Sequence, residues 1–396
     1  MSTKHSKAAA EFLKNKKQAA WHDETLWLVR AKRDRLSKEV PEWEELRNMA
    51  CATKLYSNSH LDELLVEFEN NARANGAHVY WAKDADEYCN IVYNILNQHG
   101  VKHFIKSKSM LAEECELNPF LENKGIEVVE SDLGERILQL MHLKPSHIVL
   151  PAIHIKREQV GELFEREMGT EKGNFDPTYL THAARKNLRQ KFIHAEAAMT
   201  GANFAVASTG EIVVCTNEGN ADMGTSQPKL QIAAFGMEKI VPDRESLGVF
   251  TRLLARSATG QPITTYTSHY RKPREGGELH IIIVDNGRSK ILADQKHIKT
   301  LNCIRCGACM NTCPVYRRSG GYSYTYFIPG PIGINLGMLK APLHYYDNVS
   351  ACSLCYSCSF VCPAKVDLAE QIYLWRQDLD KLGKACLLYT SDAADE

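Results

Sequence analysis

The sequence predicts an α/β fold followed by a small helical module organised around cysteines. Three observations carry that expectation. Short β-branched runs alternate with helical stretches from about residue 76. Eight of the 13 cysteines fall in two short runs between Cys303 and Cys362. Glycine and proline cluster between those runs, at Gly320, Gly321, Pro329, Gly330, Pro331 and Gly333. The divisions read from these shifts are 1–75 (helical), 76–287 (α/β), 288–385 (cysteine module) and 386–396, which is set aside below.

Composition narrows the function classes. A chain of 396 residues, 44% hydrophobic, can bury a sizeable core. Lysine plus arginine equals aspartate plus glutamate, 48 against 48, so no electrostatic case exists for a nucleic-acid partner. No apolar stretch approaches the roughly 18 residues of a transmembrane segment. The N-terminus lacks an apolar core and cleavage site, so no secretory signal is read. Cysteines packed in two runs make a poor disulfide framework, which points to the reducing cytoplasm.

The elements follow in order. Asp62 to Asn70 carries leucines and a phenylalanine at helical spacing, and the lysines between Ala8 and Ala20 read as a solvated helix face. Strands are expected at Ala77–Trp81, Lys102–Lys106, Ile126–Glu130 and His147–Leu150. Each is followed by a helix: Ala85–Gln98, Leu111–Asn123, Leu133–Met141 and Glu158–Met168. That alternation argues for a largely parallel sheet. A longer helix is expected over Thr181–Met199. Asn203–Ser208 and Glu211–Thr216 read as a hairpin through Thr209 and Gly210. Leu230–Phe235 and Leu279–Asp285 supply further strands, and the domain closes near Asn286 and Gly287.

The two cysteine runs are Cys303, Cys306, Cys309, Cys313 and Cys352, Cys355, Cys358, Cys362. Both are C-x2-C-x2-C-x3-C-P, ending at Pro314 and Pro363. A cubane cluster needs four converging thiolates; two-residue spacers let one tight loop deliver three. The fourth, before proline, serves the other cluster. The expectation is two [4Fe–4S] clusters: Cys303, Cys306, Cys309 and Cys362 hold the first, Cys313, Cys352, Cys355 and Cys358 the second. Structural zinc is the alternative, but zinc sites use C-x2-C pairs separated by a longer loop. The 38 residues between Cys313 and Cys352 exceed the spacer of a compact ferredoxin and resemble an α-helical ferredoxin module of respiratory iron–sulfur subunits. Cys51, Cys89, Cys115 and Cys215 read as small apolar side chains.

The middle domain shows no GxGxxG after a strand and no phosphate loop. Lys106, Ser107 and Lys108 follow a strand, where binding loops of α/β sheets lie, and could hold a small-molecule carboxylate or a phosphate. A helix cap with solvated lysines explains them equally well. Asn217, Glu218 and Asn220 also follow a strand, although their turn chemistry suffices. His147 and His154 flank Pro151, and a structural role is preferred to acid–base catalysis.

Taken together, several segments resemble the lactate utilization protein B family. They include Trp21-His22-Asp23, Pro41 to Arg47, Lys106 to Met110, Ser131 to Glu135, Pro145 to Ile148, Ser208 to Gly210, Asn217 to Asn220 and both cysteine runs. The resemblance implies a LUD domain of the NagB/RpiA/CoA-transferase-like α/β fold with a C-terminal α-helical ferredoxin-type module. It also implies an electron-transfer role in oxidising L-lactate to pyruvate, with two sister subunits. A self-contained small-acid oxidoreductase and a metabolite-binding module with structural clusters are the alternatives. The family chain continues past the ferredoxin module. Here Cys386–Glu396 instead reads as translated sequencing adapter, so the gene reads as truncated.

Overall fold

A computed structural model describes residues 4–381 and Gly383; the adapter-like ending lies outside the described residues. Four helices open the chain: α1 (Lys4–Lys14), α2 (Lys16–Lys38), α3 (Trp43–Ser59) and α4 (Leu61–Ala74). Ten strands follow: β1 (His78–Ala82), β2 (His103–Lys106), β3 (Glu127–Glu130), β4 (Ala197–Gly201), β5 (Phe204–Val206), β6 (Glu211–Thr216), β7 (Leu230–Gly236), β8 (Ile240–Val241), β9 (Tyr266–Tyr270) and β10 (Glu278–Val284).

Six of them form a parallel sheet in the order β1-β10-β7-β4-β2-β3. Continuous apolar runs explain the central strands, because helices cover both faces. In β10, Ile281 and Ile283 enter one core with Phe68 and Phe235, while Ile282 and Val284 enter the other with Leu96 and Phe104. That split is the two-residue strand period at work. A second sheet, β8-β5-β6-β9, contains the expected β5–β6 hairpin. Gly210 turns it at φ 66°, and a Cβ there would meet the Ala72 backbone nitrogen at 2.3 Å. Glycine is required on both counts.

Three expected elements differ. The helix expected to reach Met199 spans Pro177–Ile193, and Ala197–Gly201 is instead β4, inserted between β2 and β7. Small side chains buried on both faces override the helix preference of alanine there. His147–Leu150 is not a strand: the His147 ring accepts from the Val149 and Leu150 N–H groups, each at 3.0 Å, and folds the chain back. The helix expected over Leu111–Asn123 breaks into Met110–Glu114 and Leu117–Asn123 around Glu116 at φ 55°. β8 and β9 were also not anticipated as strands.

Among the described residues no strand follows β10, and the cysteine region is built from short helices. The N-terminal helices fasten it. Arg33 of α2 donates to the Val361 carbonyl at 3.0 Å, and Arg47 of α3 donates to the Phe360 and Cys362 carbonyls at 2.8 and 2.9 Å. Asp23 pairs with Arg317 and Arg318. His5 of α1 is buried, while Lys7, Lys14, Lys16 and Lys17 are exposed, the solvated face expected.

Candidate functional site

Each cysteine run folds into the same loop. Arg305 and Gly307 take left-handed conformations (φ 60° and 76°), and so do Leu354 and Tyr356 at the matching positions (φ 52° and 61°). That turn aims backbone N–H groups at sulfur. Arg305 N–H donates to Cys303 Sγ at 3.4 Å, and Leu354 N–H to Cys352 Sγ at 3.3 Å. The fourth cysteines receive Tyr316 N–H at 3.5 Å (Cys313) and Val366 N–H at 3.4 Å (Cys362). Cys303, Cys306, Cys309 and Cys362 line one small pocket, walled by Ile148, Ile332, Val366 and Leu368. Cys358 feels Cys313, Cys352 and Cys355 as its charged neighbours. No disulfide joins the described cysteines.

The donor set suits an iron–sulfur core. Burial pushes the Cys306 thiol up to about 12, with Cys362 and Cys303 adding to it. Burial pushes Cys313 and Cys362 up to about 11. Thiolates crowded in an apolar pocket repel one another, and a cationic core removes that penalty. Apolar walls and N–H···S bonds are the environment such clusters use to set their potentials. Of the other cysteines, Cys89 and Cys115 are buried and Cys51 and Cys215 half-buried.

A cleft of about 640 Å³ opens at the carboxyl edge of the parallel sheet. Ligands of open α/β sheets bind at this edge, because the strand ends and loops converge there. Its walls include Ser107 after β2, Asp132 after β3, Gly201 ending β4 and Gly236 ending β7. Across from them stand Arg305, Cys306 and Ile328 of the cysteine module. Cys306 therefore borders both the cleft and the four-cysteine pocket.

Four of the six residues singled out in the sequence line this cleft: Ser107, Lys108, Asn217 and Glu218. Lys106 and Asn220 stand behind it. Lys106 is buried with its ammonium 2.7 Å from Glu130 Oε1. Burial would lower its pKa, but Glu130 holds it above the usual lysine value. Lys108 lies 2.6 Å from Glu135 Oε1. Asn220 Nδ2 and the Lys108 N–H both donate to Asp132 Oδ2 at 2.7 Å, and Leu133 N–H donates to Glu218 at 3.0 Å. Asn217 bridges to Gln261 and Thr265. These side chains form one connected polar wall. Burial, then Glu135 and Glu218, push Asp132 up to about 7. Burial also takes Glu113 to about 7 and raises Glu218.

The sequence reading missed the opposite, basic floor. Glu114, Glu238, Lys239, Arg288 and Arg305 line it, with Lys54 close behind. Arg288 pairs with Glu114 and Glu238. Arg305 reaches Glu238 at 3.7 Å, and its Nη1 is buried without a hydrogen-bond partner among the described residues. Burial lowers Lys54 and Lys239 to about 8. None of these was singled out in the sequence; the signals that mark two of them are the place of Arg305 between cysteines and that of Arg288 just after a strand. His147 and His154 are structural. Burial lowers them to about 3 and about 4. His147 Nε2 meets Asn311 Oδ1 at 2.9 Å, and His154 bridges Ser146 and Tyr322.

The LUD domain family matches residues 65–291, and the 4Fe-4S dicluster domain family matches residues 299–366. Lactate utilization protein B of Geobacillus thermodenitrificans (strain NG80-2) is 43% identical over 357 residues, covering 88% of this chain and 75% of the relative. Lactate utilization protein B of Bacillus pumilus (strain SAFR-032) is 44% identical over the same shares. An uncharacterized electron transport protein, YkgF of Escherichia coli (strain K12), is 41% identical over 90% of this chain and 76% of its own. A crystal structure of a DUF162 family protein from Deinococcus radiodurans aligns at 14% identity and a TM-score of 0.33, over 57% of this chain and 98% of its own. No helix among the described residues is long and apolar enough to cross a membrane. With a LUD domain, a 4Fe-4S dicluster domain and relatives this similar over most of its length, the chain belongs to the lactate utilization protein B family of iron–sulfur proteins.

Proposed function

We propose that this chain is the iron–sulfur electron-transfer subunit of a cytoplasmic system that oxidises L-lactate to pyruvate with two sister subunits. Two [4Fe–4S] clusters are held with crossed fourth ligands: Cys303, Cys306, Cys309 and Cys362 for one, Cys313, Cys352, Cys355 and Cys358 for the other. The clusters supply one-electron acceptance and release. One observation carries the reading: Cys306 borders both the cleft and the four-cysteine pocket, so a small acid in the cleft lies against a cluster ligand.

The chain's own residues divide the work around that acid. Lys239 and Arg305, both lining the basic floor, attract its carboxylate. Lys108, Ser107, Asn217 and Glu218 shape the polar wall. Asp132, poised near neutral pH, holds or takes a proton there. Lys106 and Asn220 support that wall from behind.

Lys239→Met in the assembled system tests this reading. The expected result is at least a tenfold rise in the lactate concentration needed for half-maximal reduction. Iron content should stay at about eight per chain, the sum for two [4Fe–4S] clusters. Unchanged lactate dependence would remove the substrate from this cleft, and about four iron per chain would remove the second cluster.

A further inference from the structure

The opposite edge of the parallel sheet, where the strands begin, carries a second group of convergent ligands. His78 opens β1 and lies in register with His280 of β10. Glu278 stands two residues before His280 on the same strand. His99 closes the helix Ala85–Gln98, which packs on β1. The ligand atoms of His78, Glu278 and His280 all lie within 4.8 Å of one another. His280 Nε2 is 2.9 Å from Glu278 Oε2, and His99 Nε2 is 3.3 Å from Glu278 Oε1. The His78 and His280 rings stack at 4.8 Å.

The outer ring nitrogens are already committed. His99 Nδ1 lies 2.8 Å from the Ile95 carbonyl, which only accepts, so Nδ1 carries the proton. The Nε2 lone pair of the neutral ring then faces a carboxylate oxygen. A proton on that nitrogen or a metal ion beside it satisfies the contact. His280 Nδ1 is oriented in turn by the Tyr80 hydroxyl at 3.1 Å. Fixing one imidazole nitrogen so that the other points at a common centre is how metal-binding histidines are held. Ligands at about 2.0–2.1 Å from a tetrahedral ion are separated by about 3.4 Å, and the three ligand atoms of His78, Glu278 and His280 lie within 4.8 Å of one another, with His280 Nε2 2.9 Å from Glu278 Oε2.

We propose that His78, His280 and Glu278 form a divalent transition-metal site of zinc type, distinct from both cysteine runs, with His99 held on the other oxygen of Glu278. Imidazole with one carboxylate suits zinc, whereas the cluster sites are all thiolate. The ion would tie the edge strand β1 to β10. Its contribution is structural, because the cleft lies at the other end of the strands. The bare alternative is a protonated His99 paired with Glu278, which needs no metal and leaves His78 only its stacking on His280.

Zinc chloride is the probe. Iron-loaded full-length protein is stripped of loosely bound metal with a chelator, then titrated with zinc. The expected result is one retained zinc per chain, with nitrogen and oxygen neighbours at about 2.0–2.1 Å by zinc-edge X-ray absorption. Glu278→Gln and His78→Gln change exposed residues, so folding is not at risk. Each should weaken zinc binding at least tenfold with iron content unchanged. No retained zinc, sulfur neighbours at about 2.3 Å, or unchanged affinity in either variant would overturn the proposal.

Discussion

Replacing Arg288 by methionine tests the join between the cleft and the cysteine module. Arg288 is 7% exposed and meets Glu114, 11% exposed, through two bonds of 2.9 and 3.1 Å. Its Nε serves Glu238, 3% exposed, which also faces Arg305. Methionine keeps much of the side-chain volume but strands two buried carboxylates. Losing one partner of a buried pair costs about 3–5 kcal/mol. A second route gives a similar size. Burial alone would raise Glu238, yet Arg288, with Lys239 and Arg305, holds it at about 2 against an ordinary 4.5. That difference is roughly 3 kcal/mol at 1.36 kcal/mol per unit. For an α/β domain of this size the melting temperature should fall by roughly 6–12 °C. Thermal unfolding of the iron-loaded protein by circular dichroism at pH 7.5 would read it. The sign of the pH dependence is fixed. A carboxyl with a depressed folded pKa stabilises fully above its unfolded value and loses that contribution as pH falls from about 4.5 toward 2. The gap between wild type and variant should therefore narrow on acidification. A gap under about 1 kcal/mol at pH 7.5, or one that widens toward pH 4, would refute the account of this buried pair.

Three further outcomes are expected. Cys362→Ser should damage the cluster of Cys303, Cys306 and Cys309 and spare that of Cys352, Cys355 and Cys358, while Cys313→Ser does the reverse; electron paramagnetic resonance of the reduced variants would show the opposite pattern if each run kept its own fourth ligand. Asp132→Asn should stabilise the protein by about 1 kcal/mol or more at pH 8 and by much less near pH 4, because a carboxyl raised from 3.8 to about 7 keeps its proton in the fold while the unfolded chain gives its proton up, so wild-type stability is lost as pH rises from about 3.8 to about 7; urea midpoints at the two pH values decide it. Gly236→Ala should cost about 1–3 kcal/mol by crowding alone, since its φ of −70° is ordinary but a Cβ would lie 2.2 Å from Glu238 Oε2 and 2.3 Å from Arg288 Nε; an unchanged urea midpoint would show that the buried pair can move aside.

Features confined to one stretch of chain were legible in the sequence. Each cysteine run is a local loop whose spacing demands its own turn, and the structure repeats that turn at Arg305 and Gly307 and at Leu354 and Tyr356. Strands β1, β2, β3, β7 and β10 announce themselves as β-branched runs bounded by turns. The β5–β6 hairpin is marked by Thr209 and Gly210. The polar wall of the cleft was half visible for the same reason, as Lys106–Lys108 and Asn217–Asn220 each follow a strand. β4 was not visible, because Ala197–Gly201 carries no pattern of its own and is a strand only by virtue of β2 and β7 on either side. The polarity of Lys106 and Lys108 was legible but their pairing was not, since Glu130 and Glu135 lie more than 20 residues away. The basic floor was hidden most completely. Lys54 comes from α3, Lys239 from the turn after β7, Arg288 from the turn after β10 and Arg305 from a cysteine loop. Local sequence sets dihedral preferences and short-range periodicity. Which distant charges share one desolvated cleft is set by how sheet, helices and cysteine loops pack, and only the tertiary structure decides that.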